Sequence, residues 1–188
     1  MSNLEQELER VCSRSINFIK LGKTQIRVDP YSFLFIAATV LFGILCDILE
    51  TRNGYDLTSY IIVVIILVYM SVILHEFGHW LSNLYYNCKS DYILLSYCIC
   101  CVSSNEADEL SEKQKAVCAF AGPCTNLILC AVIGCIMHMY GDSLSNMYIL
   151  EILNISFITN GLVFMGNMFH DDSMSDGKRV LSYLKSVV

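Results

Sequence analysis

Proline is nearly missing from this sequence, with two residues in 188 against ten glycines. That excludes a collagen-like or proline-rich extended chain, and no internal repeat or low-complexity tract is present. Charge is scarce as well. Only 16% of residues are charged and 55% are hydrophobic, whereas an ordinary soluble domain carries about a quarter charged residues. Basic residues are in deficit, giving a formal net charge of −6, so there is no footprint for nucleic acid and no such partner is expected. The first residues, "MSNLEQELERVCSRSINFIK", lack the apolar core of a secretory signal.

What is present is long apolar runs. Four stand out, at about 31–49, 57–80, 116–140 and 147–169. Each approaches the ~20 residues that cross a bilayer. The first two have no polar face, which excludes the amphipathic helices of a soluble bundle. The expected fold class is therefore an all-α integral membrane protein with about four transmembrane helices. The stretch "SDYILLSYCICCVSS" (90–104) is rich in β-formers but too short to cross. It predicts a short membrane-embedded β-hairpin or re-entrant segment. Leu4, Leu8 and Val11 lie at helical spacing, so 1–21 reads as an N-terminal interfacial helix. The membrane core then covers 22–181, and 182–188 is a cytoplasmic tail.

Lysine and arginine set the expected orientation. Residues 1–30 hold Arg10, Arg14, Lys20, Lys23 and Arg27. The 81–115 segment holds Lys89, Lys113 and Lys115, and the tail holds Lys178, Arg179 and Lys185. Only Arg52 falls in the other loops. With both termini cytoplasmic, eleven of the twelve basic residues face the cytoplasm. Leu57 to His75 is 18 residues, about 27 Å of helix rise. The sequence "HEFGH" (75–79) is therefore expected near the inner edge of the membrane. "AGPCTN" (121–126) and "DDSMSDGKR" (171–179) are expected on the same side.

Ionisable residues at that depth are costly and usually functional. His75 and His79 are four apart and share a helix face, the spacing that binds one metal ion. Glu76, beside them, can act as general base on a water. A catalytic zinc site needs a third protein ligand. Asp171, Asp172 and Asp176 are candidates, with His170 as a rival. Gly78 and Gly122 allow close helix approach, and Pro123 suits a first turn or a kink. Asn126 can hold an extended peptide or an oxyanion, or can serve helix packing. Asn160 and Asn167 share a face and read as packing contacts, and His138 as an interfacial residue. There are ten cysteines, mostly in apolar stretches where they behave as small hydrophobes. Cys98, Cys100 and Cys101, with Cys88 upstream, could bind metal, but their spacing is not that of a zinc knuckle.

These motifs in this order resemble the site-2 protease family of intramembrane zinc metalloproteases. The likeness runs over about residues 22–181, and "GKTQIRVDPYSFLFI" (22–36) is similar to the strand-then-span opening of the compact, bacterial-type members. It implies Zn2+ held by His75, His79 and Asp176, with Glu76 as base. It matches Asn126 to the GPxxN asparagine and Asn167 to the asparagine upstream of the DG pair. It also implies a 90–104 hairpin that pairs with an extended substrate. The segment "NMFHDDSMSDG" lacks the family's prolines and has one extra residue, so His170, Asp171 and Asp172 stay open as ligands. The implied function is hydrolysis of membrane-spanning or membrane-associated peptides near the cytoplasmic side. Maturation of a signalling or exported peptide is one form of it. The competing class is a non-catalytic metal-binding membrane protein. No PDZ or other regulatory domain fits, so control is expected from elsewhere.

Overall fold

The computed structural model describes residues 3–49, 57–97, 100–141, 147–169 and 175–187. The chain divides into two compact units. The first holds residues 1–66 and 90–103, the second 67–89 and 104–188.

The first unit begins with helix α1 (Asn3–Arg14). The expected helix over 1–21 ends there, because the β-branched and aromatic run "INFIKL" enters strand β1 (Ile16–Leu21) instead. A two-residue turn joins β1 to β2 (Thr24–Val28). Its first residue, Gly22, sits at φ +61°, a conformation glycine adopts freely. A register shift between Asn17 and Ile19 marks a bulge in β1. Its effect is to keep Ile16 and Ile19 on the same face as their partners Val28 and Ile26. In the 90–104 stretch, as expected of a hairpin, β3 (Tyr92–Leu95) pairs antiparallel with β4 (Cys101–Ser103) among the described residues. β3 also pairs in parallel with β2, so the two hairpins merge into one sheet of order β1-β2-β3-β4.

Asp29 ties this unit together. It is 0% exposed and follows β2 directly. Its carboxylate accepts two bonds from Arg14, at 2.9 and 2.8 Å, and one from Ser96 Oγ at 2.8 Å. The Tyr31 amide donates to it at the start of α2 (Pro30–Leu49). Burial works against its charge, but these donors outweigh burial and hold the carboxyl below the usual range. Near the other end of α2, Asp47 accepts from the amides of Leu57 and Thr58 at 2.9 Å. That caps helix α3 (Leu57–Tyr85).

The second unit carries α3 onward from Leu67, then α4 (Glu112–Tyr140), α5 (Met147–Phe169) and α6 (Asp176–Val187). The sequence "SEKQ" gives α4 a capping box, with Ser111 and Gln114 satisfying each other's backbone amides. Pro123 lies inside α4, neither in its first turn nor after its end. Helix α6 continues through the expected tail to Val187.

The helices α2, α3, α4 and residues 148–169 of α5 are each long and apolar enough to cross a membrane. Their side chains face outward in the pattern that lipid demands. Phe33, Leu41, Ile66, Ile128 and Leu162 are exposed, while α3 buries Ser71, His75, Glu76, Gly78 and Asn83. Polar side chains inside and apolar ones outside is the reverse of a soluble helix.

Candidate metal centre

The second unit assembles its site from three helices. His75 and His79 stand one turn apart on α3, and α6 brings Asp176 at its first residue. The two Nε2 atoms lie 3.1 Å apart. Asp176 Oδ2 is 3.3 Å from one and 3.2 Å from the other. Three ligand atoms bound at ~2.0–2.1 Å to one tetrahedral ion would be ~3.3 Å apart, so the triangle has the right size.

The tautomers agree with this. His79 Nδ1 is 2.7 Å from the Cys118 carbonyl, which can only accept, so Nδ1 carries the proton. His75 Nδ1 is 2.6 Å from Asn126 Oδ1 and donates in the same way. Both Nε2 lone pairs then turn toward the Asp176 oxygen. Three lone-pair donors converging at this distance suit a cation between them.

Glycine makes the room. A Cβ on Gly122 of α4 would collide with His79 Nε2 and lie 2.7 Å from His75 Nε2. It would fill the space between the two imidazoles. A Cβ on Gly78 would collide with Thr125 and lie 2.6 Å from the Ala121 carbonyl, so this glycine lets α3 and α4 touch. A Cβ on Gly177 would collide with the Met168 carbonyl of α5, so this glycine seats α6 and hence Asp176.

Glu76 is 4% exposed, and its Oε2 has no hydrogen-bond partner among the described residues. A buried carboxylate oxygen left unbonded is expensive.

Each expected site residue can now be located. His75, His79 and Asp176 come together, and they form a metal-capable group among the described residues. Asn126 is beside His75. Asn167 donates from Nδ2 to the Val163 carbonyl of its own helix at 2.9 Å. The rivals His170, Asp171 and Asp172 lie outside the described residues, as does Cys98. Cys100 bonds the backbone of Ser96 and Cys88 bonds Ser104, in agreement with packing roles. Asn160, read as a packing contact, bonds Asn126, and so does Ser71, which the sequence reading passed over. Its one signal was its place four residues before His75.

No protein-family model matches the sequence, and no curated protein does. Among solved structures, the site-2 protease from Methanocaldococcus jannaschii is similar over 92% of this chain and 72% of its own. The TM-score is 0.60 at 19% sequence identity. The chain is thus a multi-pass membrane protein with a site-2 protease-like fold.

Proposed function

We propose that this protein is an intramembrane zinc metalloprotease. His75, His79 and Asp176 hold the metal, and Glu76 is the general base. The observation that carries the reading is the convergence of three ligand atoms beside a buried carboxylate with an unbonded oxygen. When bound, zinc supplies a Lewis acid that lowers the pKa of a water and polarises a carbonyl.

The protein's own groups do the rest. Cys118 and Asn126 fix the two imidazoles with Nε2 outward. Glu76 accepts the proton of the attacking water at Oε2 and hands it to the leaving amide nitrogen. Asn167 lies next to Met168, whose carbonyl adjoins Gly177. Its amide is engaged only within its own helix by the bond described, and a turn of that side chain would offer it to substrate.

The substrate is a membrane-spanning or membrane-associated peptide, opened locally because a helix hides its carbonyls. Both termini are cytoplasmic, as the distribution of basic residues suggests, so cleavage falls near the cytoplasmic side. The test is co-expression of candidate substrates with wild-type and Glu76→Gln protein, comparing fragments by mass. Fragments are expected from the wild type alone. Identical fragments from both would leave a non-catalytic metal-binding protein as the better reading.

A further inference from the structure

Behind the metal ligands, the second unit contains a buried polar string that crosses three helices. It starts at the Ser156 carbonyl on α5. Asn160 Nδ2 donates to that carbonyl at 2.8 Å, which turns Asn160 Oδ1 inward as an acceptor. Two donors meet it there, Ser71 Oγ of α3 at 3.0 Å and Asn126 Nδ2 of α4 at 2.9 Å. Asn126 Nδ2 also lies 3.2 Å from the Ser71 carbonyl and 3.0 Å from Ser71 Oγ. Its amide nitrogen is thereby anchored, and Oδ1 has one direction left, toward His75 Nδ1.

The donors and acceptors of this string can be arranged in one sense only. A backbone carbonyl has no proton to give, so Ser156 decides which way Asn160 faces and the Ser71 carbonyl decides which way Asn126 faces. An asparagine amide reads alike in either orientation until its partners are known, and here both ends are fixed by groups that cannot reverse. Asn126 is 0% exposed, which leaves it no solvent alternative.

We infer that Ser71, Asn126 and Asn160 are positioning residues that lock the His75 imidazole with Nδ1 protonated and Nε2 aimed at the metal. Asn126 therefore acts on the ligand, and not on the substrate or an oxyanion. Each of its polar atoms is committed within the string, so using it on substrate would release His75. The inference rests on the metalloprotease reading, and its cost on failure is known in kind. Removing the group behind a ligating histidine typically weakens metal affinity by about 10–100-fold.

The test uses purified full-length protein in detergent, with zinc affinity measured by chelator competition and folding checked by circular dichroism. Asn126→Ala is expected to bind zinc about 10–100-fold more weakly. Asn126→Asp keeps one oxygen as an acceptor for Nδ1–H and, with a proton on the other, still donates to Asn160 Oδ1, so it should restore most of the affinity. Asn160→Ala and Ser71→Ala should each cause a smaller loss, and they keep the test open if Asn126→Ala does not fold. A second readout is the His75 Nδ1–H signal in 15N-histidine spectra, which Asn126 should shield from solvent exchange.

That signal is read with and without zinc. A wild type that binds no zinc but shows a shielded Nδ1–H, lost in Asn126→Ala, would support the positioning role while sinking the metalloprotease reading. Wild-type zinc affinity and an unchanged signal in Asn126→Ala would overturn the inference. A cleavage loss of about 10²–10³ in that same variant would then assign Asn126 to an oxyanion.

Discussion

Two buried acids, one in each unit, show how the same side-chain chemistry is put to opposite uses. Asp29 has every direction filled, by Arg14, Ser96 and the Tyr31 amide. Glu76 is about as well hidden, yet its Oε2 has no partner among the described residues. A saturated carboxylate cannot take a proton without breaking bonds that hold the sheet to two helices, so it serves the fold. One with an oxygen left over is a stability cost, and in the proposed mechanism that oxygen is the base. Burial alone would not have separated them. The count of partners does.

The sharpest way to break the comparison is to neutralise each acid and look for the other's phenotype. Glu76→Gln should lower peptide cleavage by at least ~10²–10⁴-fold, the usual worth of a general base. Zinc content and melting temperature should stay near wild type. Gly122→Ala should come next. Its methyl would take up the space between the two Nε2 atoms, so zinc stoichiometry by elemental analysis should fall from about one per chain toward zero. Retained zinc in that variant would mean that the His75, His79 and Asp176 triangle is not the binding site.

The fold and the site were legible in the sequence to different depths. The spans could be read because lipid imposes a uniform composition over ~20 residues. His75, Glu76 and His79 could be read because i, i+4 spacing is a local property of a helix. Asp176 came from the likeness of "DGKRV" to a known run, and no spacing rule would have chosen it over Asp171 or Asp172. The polar string was invisible for the opposite reason. Ser71, Asn126 and Asn160 are 34 to 89 positions apart, and a lone serine in an apolar run carries no mark of its partners. The sheet was half read. The 90–104 hairpin was expected from its β-formers, but β1 was read as part of a helix over 1–21, and the parallel pairing of β2 with β3 joins segments some 67 positions apart, which local pattern cannot foresee. For Pro123 the sequence left a first turn or an interior position open, and α4 continues through it with the ring buried against protein.

Smaller effects test the other side of the comparison. Asp29→Asn cannot accept Arg14's two bonds and should destabilise the protein by about 2–3 kcal/mol. A fall in melting temperature is the readout, with zinc content unchanged in the fraction that remains folded. Loss of zinc without loss of stability would show that Asp29 is not the structural acid described here.

The smallest change is Arg14→Lys. It keeps the positive charge but gives up the planar fork that meets both Asp29 oxygens at 2.9 and 2.8 Å. It also gives up the stacking of the guanidinium 4.3 Å over the Tyr31 ring. Arg14 is about one-third exposed, so water screens the pair, and the expected effect is a small fall in melting temperature. Its pH dependence identifies the cause. In the wild type the Asp29 carboxyl is held below its ordinary value. Its contribution is therefore complete above the unfolded value near 4 and disappears as pH falls through the folded one. A lysine holds the carboxylate less firmly, so the folded value moves back up toward the unfolded one. The two proteins should differ most in melting temperature above about pH 5 and converge as the solution becomes more acid. A difference that stays constant down to acid pH would trace the loss to packing on Tyr31, with the Asp29 charge playing no part.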